Sequence, residues 1–518
     1  MREENLQHIK HIVDALTKNE KEVLVEYLKA FDTRSGGYKP KTLVILDLLI
    51  KNNDLSKINK YLKKKFGAKS EDALRMMIYR LKEKIGESLV LDVNIMREGA
   101  YSELSQARAN VAKKKIIALI YTSRGIAHET LELYDKVIAL SKKFEFYNDL
   151  IEVLMYKQQH VGIREGKKAY NKLTEEINFY EKSRTAANDA IKAYYEVSIN
   201  WGFKGLNRNV PDPSYITFLE EKLAKLKKDF EETSSALVGY YYYTISVEYN
   251  QVLLFGKKAS EYCNYLVDLV KNNPSIYLKL RLGNVYLNYS QNELFNYEFK
   301  SALQNAQDGK SCFNPGTYNY NNSLELEFYA NFYSGNIKDA TTTIETLIQN
   351  NKTDKSEFST AKRNYLLACT YFAQKQFIKA NRTLQFASSA EKDKEGWNIG
   401  MRIFNIMNTI ENTQYDQADL LVMSLRQFIK EGLKQKAVRE RDKLILDILL
   451  ELRKQGYNFE KIVKTKHSEL EQLANSKGHH VWEIQSPELI VFHRWITAKA
   501  KEKFYEAVYK PEVINSLN

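Results

Sequence analysis

Apolar residues recur at helical spacing from about residue 100 almost to the end of the chain, which predicts a continuous series of helices rather than strands. The pattern breaks at small polar or glycine-containing turns near Gly125, Gly166, Gly256, Asn272–Pro274, Gly335 and Gly456. Two longer breaks, 201–214 and 308–323, exceed a minimal turn and predict packing detours between helix pairs. The first 95 residues differ. Thr17 followed by Glu20 is a capping-box start for one helix, 34–41 is a loop, and further helices are expected at about 40–52, 54–66 and 70–86. Residues 101–200 are helical by periodicity without a clean repeat, and 479–510 reads as capping helices stopped by Pro511.

The helices come in similar pairs. In 363–390, Leu367, Ala368 and Tyr371 share one face of a first helix, and Phe377, Ala380, Leu384 and Ala387 mark a second. Small residues at Ala368 and Ala380 let the two approach closely. This resembles the tetratricopeptide pattern, with Asn364 and Lys392 where the usual Trp and Pro would stand. Leu282, Gly283, Tyr286, Phe299 and Ala302 fit a second unit. Gly335, Ala340, Ile344 and Leu347 fit a third, and Tyr415, Ala418, Val422 and Leu425 a fourth. Ala340, Ala380 and Ala418 recur 40 and then 38 residues apart, beyond the usual period of about 34, so longer helices are expected. The implied fold is all-α: a right-handed tetratricopeptide-like α-solenoid over 98–518, best formed over 276–432. A small helical, helix-turn-helix-like domain would precede it over 1–97. That block is also similar to the N-terminal part of uncharacterised bacterial helical-repeat proteins, on LTKNEKE, KYLKKKF and RLKEKIGESL.

The resemblance implies a concave groove lined by first helices, where a protein or peptide partner would lie. Its groove positions would be Lys362, Tyr365, Cys369 and Phe372 in one unit, and Tyr277, Leu280, Asn284 and Leu287 in another. Of these, Tyr277, Asn284, Lys362, Tyr365 and Phe372 are the candidate partner contacts. A carboxylate-gripping set of the kind some family members carry matches here only at Asn284.

Composition adds direction. Seven prolines and 21 glycines leave little turn material for a β-sandwich. A net charge of +13 favours acidic partners, with biased residue usage as the bland account. Three widely spaced cysteines suit a reducing cytoplasm, the charged first residues lack a signal-peptide core, and the apolar run 43–50 is too short to span a bilayer. Lys57, Lys60 and Lys64 share a helical face, and Arg75 and Arg80 follow on the next helix. With 88–95 as the first strand of a wing, these would contact nucleic acid; a solvated basic face is the plainer reading.

Catalytic chemistry finds no foothold. GKS at 309–311 lacks the glycine that a phosphate loop needs five residues earlier, where Gln304 stands. His8 with His11, and His479, His480 and His493, have no neighbouring cysteines to complete a zinc site. The expectation is a non-enzymatic scaffold or adaptor with no catalytic residue, metal or cofactor. The alternative is a nucleic-acid-binding regulator with a repeat sensor.

Overall fold

The computed structural model describes residues 3–31, 40–51, 54–66, 71–91, 102–203, 213–350, 357–385, 397–433, 438–475, 480 and 482–509. Among them the fold is all-α, with one isolated bridge between Ser334 and Val508. The chain forms two compact units, Met1–Ile126 and Ala127–Asn518. The division therefore falls at the Gly125 turn (φ +73°), not at the expected 97/98.

In the first unit, α1 (Glu3–Ala15), α2 (Lys18–Phe31), α3 (Lys41–Lys51), α4 (Leu55–Phe66), α5 (Glu71–Leu91) and α6 (Glu103–Ser123) follow in order. Leu6, Ile9 and Val13 of α1 meet Leu24, Leu28, Leu46, Leu62 and Leu81 in one core. The capping box forms as its spacing requires. The Thr17 N–H donates to Glu20 at 2.6 Å, and the Glu20 N–H donates to the Thr17 hydroxyl at 3.2 Å. The expected wing strand is corrected: α5 continues through Ser88–Leu91, with the Ser88 hydroxyl bonded to the Ile85 carbonyl at 2.9 Å. Ser88 and Leu89 face the core side of that helix. Residues 92–95 lie outside the described residues, as does most of the expected loop at 34–41.

The second unit stacks helix pairs: α7 (Ala127–Phe144) with α8 (Tyr147–Glu165), then α9 (Lys167–Phe203) with α10 (Pro213–Thr233). Next come α11 (Ala236–Val252) with α12 (Gly256–Asn272), α13 (Lys279–Phe295) with α14 (Phe299–Ser311), and α15 (Tyr318–Tyr333) with α16 (Ile337–Gln349). The stack ends with α17 (Glu357–Ala373) and α18 (Phe377–Leu384), α19 (Trp397–Glu411) and α20 (Tyr415–Leu433), and α21 (Glu440–Lys454) and α22 (Phe459–Thr465). Two short helices follow, α23 (His467–Asn475) and α24 (Phe492–Ala500). The repeat alanines Ala340, Ala380 and Ala418 are fully buried, where only a methyl group fits between paired helices. The expected break at 308–323 is shorter than supposed. Asp308–Ser311 closes α14 and Tyr318–Ser323 opens α15, and the Ser311 and Ser323 hydroxyls donate to the Asp308 and Asn319 carbonyls within those helices. Most of the 201–214 break, together with Ala387 and Lys392, lies outside the described residues.

One turn recurs between first and second helices. Glu145, Leu254, Tyr297, Gly335, Lys375, Thr413 and Gly456 each take the left-handed conformation after a first helix. The following N–H then reaches back five residues to a helix carbonyl, as in Phe146 to Ser141, Phe255 to Asn250 and Gln376 to Tyr371, at 2.8–2.9 Å. This is the Schellman closure, which satisfies carbonyls the helix end would leave open. Glycine is cheapest at that position, yet most of these turns do without it.

Leu254 is a clear case, with φ +60° and its side chain 86% exposed. Leu254→Gly relieves left-handed strain of about 1–2 kcal/mol against a smaller unfolded-state entropy cost. The expected result is a gain of roughly 0.5–1 kcal/mol, read as a higher urea midpoint at unchanged slope. Leu254→Ala keeps the strain and should show no such gain.

Candidate functional site: the row of first helices

Along α15, α17 and α19 the first helices are buried nearly all round. Phe328, Tyr329, Phe332 and Tyr333, then Tyr365, Leu366, Ala368, Cys369 and Phe372, then Ile403, Phe404, Ile406 and Met407 are all inaccessible. A helix apolar on every side needs a cover on every side, and here the chain's own C-terminal segment supplies it. The Tyr333 hydroxyl donates to the Ile484 carbonyl at 3.0 Å, and the Tyr365 hydroxyl to the Pro487 carbonyl at 2.6 Å. Gly400 lets the segment in: a Cβ there would stand 2.4 Å from the Pro487 Cβ and 2.6 Å from its carbonyl oxygen.

The segment is pinned by charge. Arg441 is 1% exposed, and its guanidinium forks onto both Glu488 oxygens at 2.5 and 2.9 Å. Its remaining N–H groups serve the Leu473 and His480 carbonyls at 2.9 and 2.8 Å. Glu488 also accepts the Phe492 N–H at 2.9 Å, which starts α24. Burial by itself raises the Glu488 carboxyl; Arg441 and the Phe492 N–H outweigh it and hold the group below its ordinary range. Next to this pair, Arg439 grips Asp442 through two bonds at 2.9 and 2.7 Å. Burial still leaves the Asp442 carboxyl above its usual value, against the pull of Arg439. Both carboxylates border a cavity of about 10 Å³ beside Tyr365 and Gly400.

The expected capping helices over 479–510 are therefore corrected. Among the described residues of that range, Phe492–Ala500 is the one α-helix. Glu502 turns left-handed (φ +57°), and the Lys503 N–H closes on the Ala498 carbonyl. The chain then returns extended, with the Tyr509 N–H bonded to the Tyr333 carbonyl at 2.9 Å. Tyr505, Ala507 and Tyr509 are buried while Phe504, Glu506 and Val508 are outward. That period of two in burial marks a strand-like segment. Pro511 and His479 lie outside the described residues.

Two of the candidate partner contacts are corrected with it. Tyr365 and Phe372 are buried beneath this segment, Tyr365 on Pro487 and Phe372 against Tyr505 with ring centroids 6.4 Å apart. Lys362 is paired with Glu325 and sits 5.0 Å from the Trp397 ring centroid. Tyr277 is 42% exposed ahead of α13, and Asn284 is exposed on α13, accepting from Asn319 at 2.9 Å.

Before α15 no such cover lies on the row among the described residues. A groove of about 300 Å³ runs along α9, α11 and α13, with Cys263 and Leu266 of α12 in its floor. Thr244, Glu248 and Gln251 of its α11 wall stand at the same intervals as Asn284, Asn288 and Gln291 on α13, of which Asn288 and Gln291 line the groove. Asn288 and Gln291 line the groove with Ser198 and Tyr194 of α9, above a floor of Val197, Ile245, Val247 and Val285. The Tyr215 hydroxyl donates to Glu248 at 2.8 Å and fixes its carboxylate. Apart from Asn284, which continues the α13 face, the candidate set did not include these residues. The polar i, i+4, i+7 face on consecutive first helices was the available signal.

In the first unit, Lys57, Lys60, Lys64, Arg75 and Arg80 all project outward, while Ile58 and Leu62 enter the core. Lys57 lies 3.3 Å from Asp54, whose carboxyl is lowered to about 2 by its bonds to Ser56 and to the N–H and side chain of Lys57. Lys310 of the GKS segment ends α14 and pairs with Glu327 at 2.6 Å, so no phosphate loop exists there. His8 and His11 are exposed on α1 and His493 is buried. Among the described residues there is no cluster suited to a metal, and no helix is long and apolar enough to cross a membrane.

The fold and its groove define a helical-repeat protein. No family model matches the chain, and no curated protein matches it. Among solved structures it is similar to a signal transduction ATPase with numerous domains (STAND) protein with a tetratricopeptide repeat sensor, from Pyrococcus horikoshii. The TM-score is 0.40 at 12% identity, over 84% of this chain and 67% of that chain. That likeness is too distant to bear on the site.

Two outcomes test the buried pair. Arg441→Met leaves the Glu488 charge buried without its partner and should cost about 3–5 kcal/mol, while Arg441→Met with Glu488→Met should recover much of it. The Glu488 carboxyl is depressed in the fold, so its contribution is complete above the unfolded-state value and is lost as pH falls through the folded one. Glu488→Gln should therefore be destabilised at neutral pH, and its gap from the parent in urea unfolding should close below about pH 4.

Proposed function

We propose that this protein is a non-enzymatic, cytoplasmic scaffold or adaptor that holds a protein or peptide partner in the open groove of α9, α11 and α13. The observation that carries the reading is the contrast along one row of helices. From α15 onward the row is apolar and covered by the chain itself; along α9–α13 it is lined by hydroxyls and amides and left open. A surface that must be wet when empty and dry when filled suits that lining, since amides and hydroxyls exchange water for partner hydrogen bonds at little cost. Exposed Tyr195 and Ile199 beside it offer contact area.

Affinity capture with the intact chain, followed by mass spectrometry, tests this. Ser198 and Asn288 are exposed at the groove, so Ser198→Tyr with Asn288→Tyr should fill it without unfolding the protein. A partner retained by the parent and lost by the filled variant, at unchanged circular dichroism, is the expected outcome. A partner captured equally by both is held elsewhere.

A second reading rests on the outward basic side chains of α4 and α5, where Tyr61 stands exposed among Lys57, Lys60 and Lys64. Lysines flanking an exposed aromatic suit nucleic acid, through phosphate neutralisation and base stacking. Lys60→Glu with Lys64→Glu should then lower DNA or RNA affinity at least tenfold and flatten its salt dependence. Equal binding by parent and variant at modest salt removes this reading.

A further inference from the structure

The helix α6 carries two apolar faces. Ala107, Val111 and Ala118 form the buried one. On the opposite side Ile116, Leu119 and Ile120 stand 53, 68 and 42% exposed, with Ala112 exposed and Ala109 half-buried ahead of them. At about 100° per residue these five share one stripe along the helix. Ala109, Ala112, Ile116 and Leu119 are three, four and three residues apart, and Ser105 and Ser123 continue the same spacing at each end. That is the a/d seam of a coiled coil, sustained for about two heptads. A contiguous exposed stripe of this kind marks an interaction surface.

Shape and charge select the occupant. A lipid surface is met by bulky side chains over a broad face. This stripe is narrow and starts with alanines, which let a second helix approach closely, ahead of branched knobs at Ile116, Leu119 and Ile120. Its surroundings are basic. Between Leu104 and Gly125 the chain has no Asp or Glu, whereas Arg108, Lys113, Lys114, Lys115 and Arg124 all fall there. Lys113 and Arg124 are exposed along the edge beside Ile120, and neither meets a carboxylate among the described residues. Two copies of α6 packed seam to seam would bring such cations together, which disfavours a pair of identical chains. We infer that α6 docks an amphipathic helix of a partner protein, with apolar residues at heptad spacing and Asp or Glu on the flank that meets Lys113 and Arg124. The acidic partner favoured by the net charge of +13 agrees with this surface. α6 belongs to the first unit and the groove to the second, so each surface is tested without the other.

The test pans a displayed library of helices about three heptads long against the full-length chain, with Leu and Ile fixed at the seam and Glu, Lys, Gln or Ala allowed on the flanks. The parent should enrich Glu flanks. Synthetic copies should bind it about tenfold more tightly than matched helices with Lys flanks. Lys113→Glu with Arg124→Glu should reverse that preference. Ile116→Gln with Leu119→Gln, both at exposed positions, should abolish enrichment at unchanged circular dichroism. Enrichment without an acidic bias, or a bias that the charge reversal leaves in place, overturns the charge assignment. Enrichment that survives Ile116→Gln with Leu119→Gln, or none on the parent, overturns the seam. Ultracentrifugation of the parent, alone and with vesicles of phosphatidylserine and phosphatidylcholine, completes the test. Self-association or vesicle binding that Ile116→Gln with Leu119→Gln removes assigns the stripe to a second copy or to lipid, and overturns the partner helix.

Discussion

The C-terminal segment of the second unit is anchored at the Arg441–Glu488 pair. Two ions removed from water are tolerated only where each is bonded on all sides, and here the guanidinium serves the carboxylate and two backbone carbonyls while the carboxylate also starts α24. Those bonds hold the C-terminal segment where it enters. Pro487 then stands over Gly400, and the Tyr333 and Tyr365 hydroxyls find carbonyls they could not leave unpaired once buried. The aromatic stretches of α15 and α17 are stable in water only under this cover.

The same arrangement divides the row by chemistry. Where the cover is permanent, the first helices spend aromatic and aliphatic residues on it. Where it stops, at Gln485 against Gln291, the residues change to Asn, Gln, Thr and Ser on an aliphatic floor. The boundary between the covered and the uncovered part of the row thus lies between α13 and α15 among the described residues. The recurring Schellman turn keeps the helix pairs in register across it, since each closure sets the angle at which a second helix leaves its first.

Much of this was legible in the residues. The capping box at Thr17 and Glu20, the buried alanines at Ala340, Ala380 and Ala418, and the packing of Ile58 and Leu62 beneath an outward lysine face all follow from spacing alone. Of the candidate partner contacts, Tyr277 and Asn284 stay exposed at α13, whereas Tyr365 and Phe372 lie beneath the C-terminal segment. Tyr365 and Phe372 sit at first-helix positions that face a groove in a bare repeat, and nothing local distinguishes a tyrosine that meets solvent from one that meets Pro487. A clue existed in α15, α17 and α19, which are apolar on more faces than a pair of neighbours can cover. The C-terminal segment misled for a related reason: its nine-residue helix is followed by an alternating stretch, and helical periodicity was carried past the point where it ended.

What the sequence determined by itself is the set of local and periodic features: helix starts, helix pairs, close-packed alanines and the all-α class. These depend on interactions within a few residues or between adjacent elements, so spacing encodes them. What the tertiary structure decided is which part of the row is filled. That outcome depends on Arg441 meeting Glu488 across 47 residues and Tyr333 meeting Ile484 across 151. Such contacts are set by the path of the whole chain and by the desolvation of charges brought together at its end, and no local pattern records them.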